Sequence, residues 1–405
     1  MGFLGKPKNW KPNYIRISIC LLLIVAFAFG IFYLYKNINN SNQTADVNAP
    51  VANLPKEEPK KDITVNISAI GDIMCHSTNF KAAYQNGAYD FSNVFTDIAP
   101  YLQNADLAIG NLETTFAGSS RGYSGYPTFN TPEILVKNLV DIGIDVISTS
   151  NNHSLDKGYS GLVSTLEELD KVGLSHTGTA RSLEEQNTVL IKDVNGIKFA
   201  FLAFTYGTNG IPVPSGKEYC VNLIDKDFIK TQIDLAKAKN PDVICVNMHW
   251  GAEYKLKQNS EQETLADFLF KNGVDIILGS HPHVLEPMEK RTITLEDGTT
   301  KDGFVIYSLG NFMSGQVITN TKNSVILDIQ ITKHADDKIS IDSVKYTPIY
   351  MLDRGSGKSN RYQILDIRKR IENYENGTDK SIGQNVYTTL KTELTKITSV
   401  MGEEI

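Results

Sequence analysis

Apolar residues follow two regimes along this chain. Between Ile15 and Leu34 they are nearly continuous, broken by Arg16 and Ser18, and the run is about long enough to cross a bilayer as a helix. From Asp62 to about Tyr350, short apolar runs alternate with amphipathic stretches, the signature of strands alternating with helices. Strands are expected at Thr64–Ile70, Asp106–Ile109, Val146–Thr149, Val243–Val246 and from Val274 through Ile276–Leu278. Helices are expected at Phe95–Leu102, Glu133–Ile142, Gly161–Val172, Phe228–Lys239 and Glu261–Asn272. Asn195-Gly196 between Thr188–Ile191 and Lys198–Phe204 predicts a hairpin, because both turn residues tolerate positive φ. Glu296-Asp297-Gly298 marks a second turn, between Thr292–Thr294 and Phe304–Tyr307. Val325–Ile331 and Ile339–Thr347 add strands, and the chain from Glu372 is polar and helical in places.

These runs divide the chain into five parts. Residues 1–14 form a cytoplasmic N-terminus, 15–35 a single transmembrane helix, 36–62 a flexible linker, 63–350 an α/β domain and 351–405 a partly helical C-terminal extension. Lys6, Lys8, Lys11 and Arg16 precede or open the apolar run and Lys36 alone follows closely, which places the main domain outside the membrane. A cleaved signal peptide is the rival reading, but the run exceeds a usual h-region and no A-x-A-like site follows it. Residues 37–62 are rich in Asn, Lys, Glu and Pro and read as a solvated tether.

Composition narrows the function classes. The chain has 405 residues, 41% hydrophobic and 21% charged, enough for a sizeable core. Its net charge of −6 argues against nucleic acid as a partner, while phosphate-bearing substrates stay open if a bound cation supplies the positive field. Cys20, Cys75, Cys220 and Cys245 show no metal-ligand spacing, and they are read as small, mostly buried residues.

The candidate chemistry sits where the expected strands end. Ile276-Ile277-Leu278 runs into Gly279-Ser280-His281-Pro282-His283, and Pro282 is expected to hold His281 extended, so that both imidazoles project to one side. Four other strands stop at Asp72, at Asn111 with Glu113, at Asn152 with His153, and at His249. Sites of open α/β sheets gather at such carboxyl ends. Mixed oxygen and nitrogen donors without thiolate suit Mn²⁺, Fe or Zn²⁺. Two carboxylates, two amides and three imidazoles exceed one tetrahedral ion and match a pair of divalent ions. His153 is placed to act as a general acid, and Asn311 to border the rim.

Six motifs in order, Gly71-Asp72-Ile-Met74, Gly110-Asn111-Leu-Glu113, Ser150-Asn-Asn152-His153, His249-Trp-Gly-Ala-Glu253-Tyr254, His281-Pro-His283-Val and Tyr307-Ser-Leu-Gly-Asn311-Phe, resemble the CapA-type proteins of bacterial capsule and poly-γ-glutamate biosynthesis. The resemblance spans about residues 64–350. It implies a membrane-anchored protein whose domain is similar to calcineurin-like metallophosphoesterases, a four-layer α-β-β-α sandwich. Carried over by position, Asp72, Asn111, Glu113, Asn152, His249, His281 and His283 are implied metal ligands and His153 the proton donor. It further implies capsule-synthesis or export membrane proteins as partners and a phosphoester or an anionic polymer as substrate. Phosphoesterases proper begin Asp-x-His; here Met74 takes the histidine's place, with His76 two residues on as a substitute and Glu253 as a further rim residue. A non-catalytic, polymer-binding export component and an envelope nucleotidase are the competing readings.

Overall fold

The computed structural model describes Lys36 and residues 60–294, 298–358 and 360–405. The expected membrane helix, nearly all of the tether, and Glu296 and Asp297 of the second turn lie outside these residues. Among the described residues no helix is long and apolar enough to cross a membrane. In chain order the strands are β1 (Ile63–Ile73), the small hairpin β2 (Tyr84–Gln85) and β3 (Ala88–Tyr89), β4 (Leu107–Leu112), β5 (Val146–Ser148), β6 (Ser175–Thr177), β7 (Leu190–Val194) and β8 (Ile197–Thr205). They continue as β9 (Val243–His249), β10 (Ile276–Ser280), β11 (Leu285–Thr294), β12 (Thr300–Leu309), β13 (Asn311–Met313), β14 (Asn323–Lys333), β15 (Ile339–Asp353) and β16 (Tyr362–Asp366). One sheet has the order β16-β15-β14-β1-β4-β5-β6, with β13 also paired to β1, and the other has the order β11-β12-β10-β9-β8-β7.

The alternation of apolar residues explains how the sheets stack. Val65, Ile67 and Ala69 of β1 share a cluster with Phe199 and Phe201 of β8, Val243 and Cys245 of β9, and Ile276 and Leu278 of β10, so one face of each sheet covers the other. The intervening residues point outward. Ala200, Leu202, Ile244, Val246 and Ile277 pack on the helices Lys226–Lys237 and Ser260–Lys271 through Ile229, Ile233, Leu265 and Leu269. On the far side, Ile70, Ala108 and Ile147 meet Leu162, Leu166 and Leu169, an i, i+4, i+7 stripe of the helix Gly158–Lys171. Three apolar seams thus separate four layers, helix, sheet, sheet, helix. Because both faces of the central strands are buried, their sequences read as near-continuous apolar runs.

Most expected elements lie within a few residues of their predicted bounds, and Asn195 and Gly196 adopt positive φ between antiparallel β7 and β8. Two departures have clear causes. The expected helix Phe95–Leu102 is two short ones, Ser92–Phe95 and Ala99–Gln103, the second carrying Pro100 in its first turn. The stretch read as a C-terminal extension belongs to the same compact unit: β16 closes one sheet edge, and Leu390, Ile397 and Met401 of the helix Gln384–Met401 enter the inter-sheet core. Cys75, Cys220 and Cys245 are buried and unpaired.

Close backbone approach fixes where the strand ends meet. A Cβ at Gly279 would lie 1.8 Å from the Tyr307 carbonyl oxygen of β12, and one at Gly71 would lie 1.9 Å from that of Gly310. Backbone cannot yield as a side chain would, so Gly279→Ala is expected to destabilise the fold by about 4 kcal/mol or more. The urea midpoint of the purified variant checks this; a shift within experimental error of zero would refute the packing described.

Candidate metal centre

The carboxyl ends of β1, β4, β5, β9 and β10 converge, and the side chains expected there from sequence are brought together. Asp72, Asn111, Glu113, Asn152, His153, His249, His281 and His283 are all buried. Asp72 is in register with Asn111 of β4 on one side and with Asn311 of β13 on the other. An ionised Asp72 only accepts hydrogen bonds, so each group facing it must donate. Asn111 Nδ2 donates to Asp72 Oδ1 at 2.8 Å, the His281 backbone N–H to Oδ2 at 3.3 Å, and His283 Nδ1–H to Oδ2 at 3.1 Å. Asn111 therefore turns its NH₂ inward, while its oxygen faces Asn151 Nδ2 at 3.4 Å.

That arrangement leaves the free nitrogen of His283 facing a carboxylate oxygen. With its proton on Nδ1, His283 presents Nε2 to Glu113 Oε1, 3.8 Å away. His249 Nε2 lies 3.7 Å from the same oxygen and 3.0 Å from Asn152 Oδ1. Neither oxygen of Glu113 accepts a hydrogen bond, although the residue is fully buried, and His281 Nδ1 is likewise without a partner. A buried carboxylate with no donor is costly, and a cation between these atoms removes the cost. Asp72, Glu113 and His283 form one group able to hold an ion; Glu253, His281 and His283 form another. The donors, carboxylate oxygen and imidazole nitrogen, fit divalent Mn, Fe or Zn.

His281 departs from the extended geometry expected of a residue before proline. Its φ is 97°, and that of His283 is 60°. Both are strained for non-glycine residues. The hydrogen bonds from His281 N–H and the His283 ring to Asp72 hold this turn, and the rings still meet, with centroids 5.9 Å apart.

His153 stands beside the cluster. Its Nδ1 donates to Asp156 Oδ2 at 2.7 Å, an oxygen that also accepts from Phe129 N–H at 2.6 Å, so the ring orientation is fixed from behind. Asn209 reaches His153 Nε2 at 3.4 Å through its amide nitrogen and accepts from Asn152 Nδ2 at 3.1 Å. Ser280 Oγ meets His249 Nδ1 at 2.9 Å. Asn151 and Ser280 stand within the motifs at the strand ends without an expected role, and Asp156 and Asn209 are not singled out by sequence; the His-x-x-Asp spacing is the one local signal for Asp156. The remaining rim residues differ in placement. His76 Nδ1 accepts from Gly315 N–H at 3.1 Å and its ring packs edge-on to Phe129, outside both groups. Asn311 gives its NH₂ to Gln316 and to the Thr321 carbonyl. A cavity of about 360 Å³ opens onto His153, His283 and Glu253. A larger one, about 640 Å³, lies at the other end of the sandwich, where Lys301 is already paired with Asp275.

Burial dominates the electrostatics. It lowers His249 well below the ordinary 6.5 and, with repulsion from His283 and His153, holds His281 near 3. Burial, then the charges of Asp72, Glu253 and Asp156, raises Glu113 well above 4.5. In metal-free protein each depressed imidazole contributes stability that is complete above 6.5 and is lost as pH falls towards its folded value. Glu113 works oppositely, costing stability as pH rises above 4.5, and offsets about one imidazole. Elsewhere His76, lowered to about 4, and Glu286, raised to about 7, oppose one another, so a net loss on the order of 1 kcal/mol is expected between pH 7 and pH 5. Urea unfolding of chelator-treated protein at both pH values measures it; greater stability at pH 5 would contradict the assignment.

A family model described as "Bacterial capsule synthesis protein PGA_cap" matches residues 66–316. Capsule biosynthesis protein CapA of Bacillus anthracis is 28% identical over 336 residues, covering 81% of this chain and 75% of that one. PGA biosynthesis protein CapA of Bacillus subtilis is 29% identical over 349 residues, covering 84% and 82%. Among solved structures, the calcineurin-like phosphoesterase YfkN of Bacillus subtilis aligns at 16% identity and a TM-score of 0.43, covering 71% of this chain and 90% of that one. The NAD nucleotidase NadN of Haemophilus influenzae aligns at 15% identity and a TM-score of 0.44, and this chain spans 61% of its length.

Proposed function

Because the chain belongs to the PGA_cap family of bacterial capsule synthesis proteins, we propose that it serves capsule or poly-γ-glutamate synthesis or export as a metal-dependent hydrolase of phosphoester type. The observation that carries the hydrolase reading is Glu113, buried beside Asp72, His249 and His283 with both oxygens unpartnered. Asp72, Glu113, Asn152, His249, His281 and His283 would hold two divalent ions, with Asn111 as the group that orients Asp72. Such a pair, when bound, supplies Lewis acidity and a nucleophilic water near neutral pH. The chain's own contribution is proton handling. Asp156 keeps the His153 proton on Nδ1 and stabilises the imidazolium, so that a proton on Nε2 passes to the leaving oxygen. The apolar run at residues 15–35 and the basic flank before it support a single-pass anchor with the hydrolase outside the membrane.

Elemental analysis of the purified chain after reconstitution with Mn²⁺, together with hydrolysis of p-nitrophenyl phosphate, tests the proposal. Two equivalents of metal and chelator-sensitive turnover are expected; a chain that takes up no metal ends the hydrolase reading. One observation favours a second reading, a non-catalytic assembly component that binds polymer and partner membrane proteins. Met74, buried where phosphoesterases proper carry a histidine ligand, offers only a soft thioether. In that case His153→Ala cells still make capsule, whereas cells lacking residues 1–35 do not.

A further inference from the structure

Resting on the hydrolase reading, we infer that the substrate carries an apolar group beside its reacting phosphoryl group and is not a polyanion at that point. The cavity of about 360 Å³ over His153 and His283 is walled by Met74, Tyr126, Phe129, Tyr254, Val317 and Ile318. Among the described residues no lysine or arginine lines it, and the one acidic side chain is Glu253. Sites built for several anionic groups present guanidinium or ammonium donors. Here bound cations would satisfy one phosphoryl group, and a second anionic group at the mouth would meet Glu253 and hydrocarbon. The repulsion and the desolvation both select against it.

The apolar mouth is also left open to solvent. Val317 is 81% exposed, Tyr126 74% and Ile318 45%, next to a cleft that holds the chemistry. Scattered exposed apolar residues need no explanation, but three on the rim of one polar-floored cavity form a recognition surface. The surface continues past the same loop. Val317 and Ile318 line the cavity, while Asn320, two residues on, lines a second groove of about 300 Å³ walled by Leu256, Leu285, Ile397 and Val400. An extended hydrocarbon substituent would thus find apolar contacts on both sides of the loop.

Titration calorimetry on the Mn²⁺-reconstituted full-length chain tests the inference with three probes: methylphosphonate, phenylphosphonate and 4-carboxyphenylphosphonate. Phenylphosphonate is expected to bind about tenfold or more tightly than methylphosphonate, and the added carboxylate to remove that gain. Val317→Asp and Ile318→Asp, both at exposed positions, should bring the phenyl-to-methyl ratio close to one. Equal affinity for methyl and phenyl probes, tightest binding of the carboxylated one, or no phosphonate binding by a chain whose metal content is intact would each overturn it. Metal content, measured on the same samples, reports separately on the hydrolase reading. A chain that holds no metal overturns the inference together with the reading on which it rests.

Discussion

Glu113→Gln is expected to make the metal-free protein more stable and the metal-supplied protein less so. In the bare fold the carboxyl is buried, unpartnered and crowded by Asp72, so an amide removes the cost of holding a titratable carboxyl there and can donate to the lone pairs around it. A gain on the order of 1–3 kcal/mol at pH 7 follows. With Mn²⁺ at about 100 times its dissociation constant, the wild-type chain gains about 2.7 kcal/mol from binding. The variant, lacking the carboxylate that lies 3.7 Å from His249 and 3.8 Å from His283, should lose that gain entirely. Urea unfolding of both proteins with chelator and with Mn²⁺ gives the four numbers needed. Lower stability of the variant in chelator would show that Glu113 already has a partner in the bare fold.

His153→Ala should lower phosphoester turnover by about 10²–10⁴-fold, the range for removal of a positioned general acid, while metal content stays at the wild-type level. The ring's back is fixed by Asp156 and its front reaches only Asn209, so the substitution deletes a proton carrier without touching the carboxylates around Asp72. Asp156→Asn should give a smaller loss, since the ring stays but the charged acceptor that fixes its orientation is gone. Unchanged turnover in His153→Ala would remove it as the proton donor.

What sequence could reveal here was governed by periodicity. Strands buried on both faces give unbroken apolar runs, and their ends are easily found, so Asp72, Asn111, Asn152, His249 and His281 stood out as a recurring polar stop. The supporting residues did not, because nothing periodic marks them. Asn209 arrives from the irregular stretch after β8, and Asp156 acts through a turn whose shape had to be known first. Strand β16 was hidden in five residues after a Gly- and Ser-rich stretch. Pro282 misdirects the reading of His281, because a local preference for extended backbone is weaker than two hydrogen bonds from the turn onto one buried carboxylate. Local rules gave way where the chemistry concentrates, as expected of strained sites.

Strand β1 begins at Ile63 and reaches the carboxylate cluster at Asp72, and Lys60 just before it is pinned to Asp337. At about 3.3 Å per residue, the polypeptide joins its folded body some 30 Å from the reactive mouth. The first described strand therefore spans the body from end to end, so that a label placed at Lys60 stands a full strand length from the reactive mouth.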